Sequence, residues 1–418
     1  MKRVLLLLVT GMFCAFTASA QSSTSDVLKL SLEDCLELVY KNNHNRQSVI
    51  LNELSTQEVY RQSKLERLPN LNASIGETFS NSKNTGNGWN GNYSLNTGIT
   101  LYQGNYLKNA TEQSRLSYEQ SRLSTTKFDN DLTIQVLESF LTALGNEELL
   151  HYQDAVLKSS EEQLKQGKVR FSTGDILKSD YLLLEAQYEN DLNNMLETKI
   201  ARDNSLNNLK NLMSLELSQE IEIVYPDDSV LNAIGVMPSE FDVVSRSIET
   251  LPNLRISDYN VEIAKTGVQI SRSSYFPTLS MNAGIGTGHS NDFARYGTQI
   301  SDKLNEQIGV TLSIPIFSNS RTKSKVTQSK ISLQQAQLER KQAELDIRQT
   351  LAQEYKNVVL AESKFRSSQI SQNAYEASFR SYQLKFEQGS ITTVELLQQQ
   401  NNYIGILITV PLKSKRAL

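Results

Sequence analysis

The chain has 418 residues, a formal charge of −4 and a pI near 5.7. That length exceeds one ordinary domain, and the acidic balance excludes a nucleic-acid partner as the working expectation. Hydrophobic residues make up 39% and mean hydropathy is −0.40, below the globular average.

The N-terminus reads as a targeting segment. Lys2 and Arg3 precede an apolar run from Val4 to Phe16, and Ala18-Ser19-Ala20 is a small-residue cleavage site. Residues 1–20 are expected to be removed as a signal peptide, so that the exported chain begins at Gln21. The run is too short to span a bilayer. Phe13 stands before Cys14 where a lipoprotein signal needs a small residue, so lipidation is not expected. Cys35 is then the one cysteine left, a packing residue on a helix face, and no internal disulfide can form. No later apolar stretch is long enough for a transmembrane helix, so membrane entry would require a β-barrel.

The first repeat is expected at 21–217. A helix from about Leu32 to Leu68 ends at Pro69, because the residue before proline leaves the α region. A β-hairpin follows at 70–102: Leu71, Ala73 and Ile75 alternate with Asn72, Ser74 and Gly76, and Tyr93, Leu95, Thr97, Ile99 and Leu101 form a second alternating run. The loop between contains Gly86-Asn87-Gly88-Trp89-Asn90-Gly91, a literal G-x-G-x-x-G. A dinucleotide fingerprint must open a helix, and this one opens a strand, so it reads as hairpin. A long helix from about Gly104 to Gln166, ~95 Å at 1.5 Å per residue, carries a narrow apolar seam of coiled-coil type. Its tip, near 167–175, lies in FSTGDILKSD, and a further helix follows.

A connector at 218–240 holds Pro226 and Pro238, and the second repeat runs 241–418. It comprises a helix ending at Pro277, a β-hairpin at 278–317 with Ile308, Val310, Leu312, Ile314 and Ile316 on one face, and a long helix from about Ser318 to Leu384. A tip near 386–390, in FEQGSITTVE, precedes a last helix. The chain stops at Leu418, so little further structure is expected there.

The two halves match at fixed offsets. Pro69/Pro277, Leu71/Leu279 and Gly76/Gly284 are 208 positions apart, whereas Ile99/Ile314, Phe171/Phe386, Gly174/Gly389 and Tyr188/Tyr403 are 215 apart. One insertion in the second hairpin loop accounts for the change. The expected fold is therefore an α+β membrane protein built from two internal repeats: a long α-helical coiled-coil barrel joined to a transmembrane β-barrel. Four strands per chain cannot close a barrel alone, so chains must pool their strands.

The helix–Pro–strand start, the Ser313-Ile314-Pro315-Ile316-Phe317 turn into a long helix and the two F-x-x-G tips resemble the outer-membrane efflux proteins, the TolC family, over nearly the whole mature chain. The resemblance implies a homotrimer in outer-membrane lipid. It further implies a passive exit duct for an efflux pump or type I secretion system, docking on a periplasmic adaptor protein and an inner-membrane transporter. It places adaptor-docking tips at Phe171, Gly174, Phe386 and Gly389, and helix-to-strand junctions at Pro69 and Pro277. Asp180 and Glu395 match acids of the periplasmic entrance; Gln398 stands where a second acid is usual. The expected arginine and tyrosine partners are replaced by Ile391 and Phe386, which implies a different closing network.

A catalytic reading finds no footing. His44, His151 and His289 are scattered over two helices and a loop, without partners at metal or triad spacing, and no cofactor is expected. The competing function is a periplasmic coiled-coil adaptor without a pore, which would not need membrane-length strands.

Overall fold

In the computed structural model, which describes residues 27–82, 86–225, 238–290 and 295–409, both repeats open on a serine cap with an aspartate three residues on. At α1 (Leu32–Asn42), the Ser31 hydroxyl accepts from the Asp34 N–H at 3.2 Å, and the Asp34 carboxylate accepts from the Ser31 N–H at 3.0 Å. The Asp242 N–H donates to the Ser239 hydroxyl at 3.2 Å at the start of α5 (Glu240–Thr250), 208 positions on. The expected signal-peptide cleavage site and Cys14 lie outside the described residues.

The single helix expected from Leu32 to Leu68 is two helices. Asn43 adopts an extended backbone and caps α2 (His44–Leu65), accepting from the Arg46 N–H at 2.9 Å. The equivalent position, Leu251, is also extended, and Pro252 opens α6 (Pro252–Ser273). One repeat builds the break with a polar cap and the other with a proline at the first helical position. Both helices then finish alike, with Leu68 N–H on the Leu65 carbonyl at 2.8 Å and Phe276 N–H on that of Ser273 at 3.1 Å. Pro69 and Pro277 follow, and the chain enters β2 (Asn70–Ser82) and β5 (Thr278–Ser290).

These strands join β3 (Gly86–Gln103) and β6 (Asn305–Ser313) in an antiparallel sheet of order β2-β3-β5-β6. Asn70 opposite Gly98 in the first hairpin and Thr278 opposite Ser313 in the second are the same rung, displaced by the two repeat offsets. The glycine-rich stretch from Gly86 is strand rather than loop, paired back to Ser82. A register shift between Thr100 and Tyr102 gives Tyr102, not Leu101, the rung opposite Leu279. The second hairpin departs from expectation twice: β6 stops at Ser313 rather than running to 317, and the inserted residues build α7 (Tyr296–Asp302).

Each hairpin returns to helix through two successive left-handed residues, Gly104-Asn105 and Asn319-Ser320, again equivalent positions. α3 (Tyr106–Thr173) has 68 residues and α8 (Arg321–Glu387) has 67, each ~100 Å at 1.5 Å per residue. α4 (Lys178–Leu212) and α9 (Thr393–Thr409) follow the two tips. A short parallel pair, β1 (Leu28–Leu30) with β4 (Ile221–Ile223), brings the segment before α1 to the connector and was not foreseen.

The chain divides into two compact units, Met1–Val39 with Ser139–Asp227 and Tyr40–Glu138 with Asp228–Leu418. In the first, Phe140, Leu144, Leu184, Leu209 and Met213 are buried, as are Cys35 and Val39. Burial pushes the Cys35 thiol up to about 11, so it packs as a neutral group. Along α4 the buried positions Leu184, Asp191, Thr198 and Ser205 fall seven apart, a heptad seam that is largely polar.

In the second unit the helices form a row that copies the strand order. Arg46 grips Asp129 with two hydrogen bonds, 2.8 and 3.1 Å, between α2 and α3. Gln120 reaches Asn260 at 2.7 Å between α3 and α6. Ser271 meets Ser329 at 2.6 Å, and Arg340 meets Asp258 at 2.9 Å, between α6 and α8. The row is thus α2-α3-α6-α8.

Candidate functional site

The sites expected from the sequence lie at two helical tips, one in each unit, and on the sheet. Each tip is closed by the same backbone motif. The Gly174 N–H donates to the Phe171 carbonyl at 3.2 Å and the Asp175 N–H to that of Arg170 at 2.8 Å. Gly389 donates to Phe386 and Ser390 to Lys385, both at 2.9 Å. This pair of bonds satisfies carbonyls that a helix end leaves orphaned, and it requires a left-handed residue, which glycine supplies at φ +81° and +72°.

Beyond that motif the tips differ. Phe171 is 40% exposed and stacks on Tyr181, with ring centroids 5.6 Å apart. Phe386 is 3% exposed, in a cluster with Phe379 and Leu396 bordered by Tyr382, Ile391 and Tyr403. The equivalent phenylalanines therefore present different surfaces.

The acids differ too. Glu395 belongs to a capping box: its carboxylate accepts from the Thr392 N–H at 2.8 Å and hydroxyl at 2.9 Å, and its own N–H donates to that hydroxyl at 3.3 Å. Those bonds, the backbone one foremost, hold the Glu395 carboxyl below its ordinary range. At the first tip Leu177 occupies the place of Thr392 and gives no side-chain cap, so Asp180 sits in the first turn of α4 without a box. Gln398 is exposed one turn after Glu395.

The sheet has two unlike faces. Register places Leu71, Ala73, Ile75 and Phe79 beside Trp89, Tyr93, Leu95 and Thr97, then Met281, Ala283 and Ile285, then Ile308, Val310 and Leu312. The other face carries Asn72, Ser74, Asn92, Asn96, Gly284, Gly286 and Gln307. The apolar face is open: Ile75 is 79%, Ile308 72% and Leu71 68% exposed. An exposed apolar patch of this kind is unusual for a surface facing water.

That face carries a polar cluster which sequence reasoning missed. His289 lies in β5 rather than in a loop, and its side chain is buried. Its Nε2 is 3.1 Å from the Glu77 carboxylate, Tyr93 donates to the same carboxylate, and Tyr296 donates to the Tyr93 hydroxyl at 3.1 Å. Glu77 and His289 are 212 positions apart and follow neither repeat offset, so no spacing rule could have joined them. Among the described residues no three His, Cys, Asp or Glu side chains are grouped to hold a metal, and no helix is long and apolar enough to cross a membrane.

Comparison with known proteins gives a consistent result. The sequence profile described as "Outer membrane efflux protein" matches residues 35–214 and 243–405. Outer membrane protein TolC of Salmonella enteritidis is 22% identical over 343 residues, covering 79% of this chain and 68% of that protein. The solved structure of CusC superposes with a TM-score of 0.77 at 15% identity, covering 92% of this chain and 90% of that one. The Campylobacter jejuni CmeC outer membrane channel gives 0.77 at 15%, covering 92% and 83%. At these identities the structural likenesses establish the fold.

Proposed function

Because the chain belongs to the outer membrane efflux protein family, and is therefore part of an outer-membrane channel rather than an enzyme, we propose the following assembly. Three copies pool four strands each into a closed twelve-stranded barrel in outer-membrane lipid. The barrel continues into a periplasmic helical duct. The duct is passive and receives its cargo from an inner-membrane transporter through a periplasmic adaptor. Residues 1–20 serve as the export signal, and the repeats at 21–217 and 241–418, linked by 218–240, supply equivalent parts of the wall.

One observation carries this reading. The sheet exposes an apolar face, and among the described residues the outer edges of β2 and β6 are unpaired. Lipid tolerates the face but not the edges, because each unsatisfied backbone group in hydrocarbon costs several kcal/mol. Closure by further copies satisfies both. The small and polar face then lines a wet lumen, and Phe79, Trp89, Tyr93 and Tyr296, near the loop end of the strands, suit the interfacial belt of a membrane barrel.

Phe171, Gly174 and Gly389 supply exposed docking features for the adaptor, with Phe386 holding its tip from inside. Asp180, Glu395 and Gln398 line the entrance.

The test is the mass of the detergent-extracted particle by light scattering, followed by conductance in planar bilayers. Three times the 47.0 kDa chain, less the signal segment, with discrete conductance steps, is expected. A detergent-independent monomer would instead favour a coiled-coil adaptor without a pore.

A further inference from the structure

The polar cluster near the loop end of the sheet brings four metal-competent donors together inside one chain. Glu77, Gly91 and His289 occupy one rung across β2, β3 and β5. The His289 Nε2 lies 3.2 and 3.1 Å from the two Glu77 carboxylate oxygens. The Tyr93 hydroxyl donates to that carboxylate, and the Tyr296 hydroxyl is 3.1 Å from that of Tyr93. Metal–oxygen and metal–nitrogen distances of about 2.0–2.2 Å put neighbouring ligand atoms of an octahedron about 3 Å apart. The donors here are spaced on that scale.

The backbone makes room for this meeting. Glu77 and His289 stand on strands that do not pair with each other, because β3 lies between them. Glycine at position 91 lets their side chains join over it. A Cβ there would stand against the His289 Nε2 and 2.7 Å from the Glu77 Oε1. Tyr296 opens α7, the helix made by the inserted residues. That helix is tied to the same strand end: the Ser290 N–H donates to the Gln299 side chain at 2.7 Å, and the Lys303 ammonium donates to the Ser290 hydroxyl at 2.8 Å. His289 is 3% exposed, whereas Tyr296 is 39% exposed. One wall of the cluster is therefore buried and the other is open to an arriving ion.

Charge selects the ion. Glu77 contributes one negative charge, and His289 a neutral imidazole whose Nε2 lone pair is presented when the proton sits on Nδ1. Phenols, with an ordinary pKa of about 10, become ligands by losing their protons, which takes a strongly acidic cation. One carboxylate and two phenolates make a trivalent ion neutral, as suits a site flanked on β2 by Ile75 and Phe79. A divalent ion is less acidic and leaves a phenol protonated. Two of the four donors are tyrosines, so among the described residues no group of three His, Cys, Asp or Glu marks the place.

We propose that Glu77, Tyr93, His289 and Tyr296 bind a hard trivalent cation, ferric iron, through one carboxylate, one imidazole nitrogen and two phenolates, with release of both phenol protons. The site lies on the apolar face of the sheet, away from the small and polar face. It is complete within one chain and does not depend on how copies assemble.

The detergent-extracted full-length chain, first stripped with a chelator, is titrated with ferric nitrilotriacetate. One ion per chain is expected, with the visible charge-transfer band that phenolate bonding to ferric iron produces. Tyr93→Phe and Tyr296→Phe keep the rings and their packing. Each should dim the band and weaken binding by more than the roughly 10–100-fold that outer-shell changes cost, and the double variant should lose the band. Tyr102→Phe, nine positions along β3, should leave it unchanged. A colourless titration, or a band that survives in the double variant, overturns the site. Displacement of the iron by equimolar zinc overturns the choice of a trivalent ion. Scattering mass read on the same samples reports assembly separately, so loss of this site leaves the channel reading intact.

Discussion

The Glu395 carboxylate holds Thr392 by two hydrogen bonds, 2.8 Å to its N–H and 2.9 Å to its hydroxyl, so an acid expected at the entrance also caps α9. The two roles separate by substitution. Glutamine can occupy the third position of a capping box, so Glu395→Gln should keep the tip folded while reducing cation selectivity or divalent block in bilayers. Thr392→Ala keeps the charge and should weaken the start of α9 by about 1 kcal/mol, seen as faster amide exchange there. Unchanged currents in Glu395→Gln would leave the capping role alone.

Gly104 and Gly174 both have positive φ, but they should not respond alike to alanine. A Cβ on Gly174 meets nothing within 4 Å, so its cost is backbone strain, about 1–2 kcal/mol. A Cβ on Gly104 would stand 2.7 Å from the Phe276 Cβ and 2.9 Å from the Ser273 carbonyl oxygen. Asn319 occupies the equivalent place in the second repeat, so the conformation itself admits a side chain. Gly104→Ala should therefore lower the yield of assembled particle well below that of Gly174→Ala, measured as scattering mass after extraction.

Asp191 is 1% exposed in the α3/α4 seam, beside Ser160 and 2.9 Å from the Gln187 amide. Burial raises its pKa above the ordinary value. The folded state therefore binds the proton more tightly than the unfolded chain. Stability of this helix pair should fall as pH rises from the ordinary carboxylate range through the folded pKa, and the penalty should be complete above it. Asp191→Asn should flatten that dependence and stabilise the pair at neutral pH, read by amide exchange along α4 at acid and neutral pH.

The break between α1 and α2 depends on Asn43, whereas Leu251 makes no side-chain cap. Asn43→Ala should cost about 1 kcal/mol, and Leu251→Asn should gain a similar amount. Thermal melting of the extracted particle measures both.

Much of this fold was legible because it is written twice. Pro69 and Pro277, the alternation through Ile75 and Ile308, and the proline-free helices gave the order of elements, and the two offsets reappear as hairpin registers. What escaped was set by contacts too short or too distant to leave a period. β1 and β4 have three residues each and meet across about half the chain. The break at Asn43 is one cap inside an otherwise helical pattern. β6 ends at Ser313 although its alternation runs on to Ile316. At the tips the turn glycines were readable, but the burial of Phe386 depends on Phe379 and Leu396, which no motif singled out.

The strand order also sets a timetable for biogenesis. Leu95 pairs with Ile285, 190 positions later in the chain. During synthesis, β3 therefore emerges long before the strand that covers its edge. For that interval the first hairpin is an apolar ribbon with an open side, the kind of species that aggregates. Until its second half is made, such a chain stays open to aggregation, and a truncation after the first repeat would remain so.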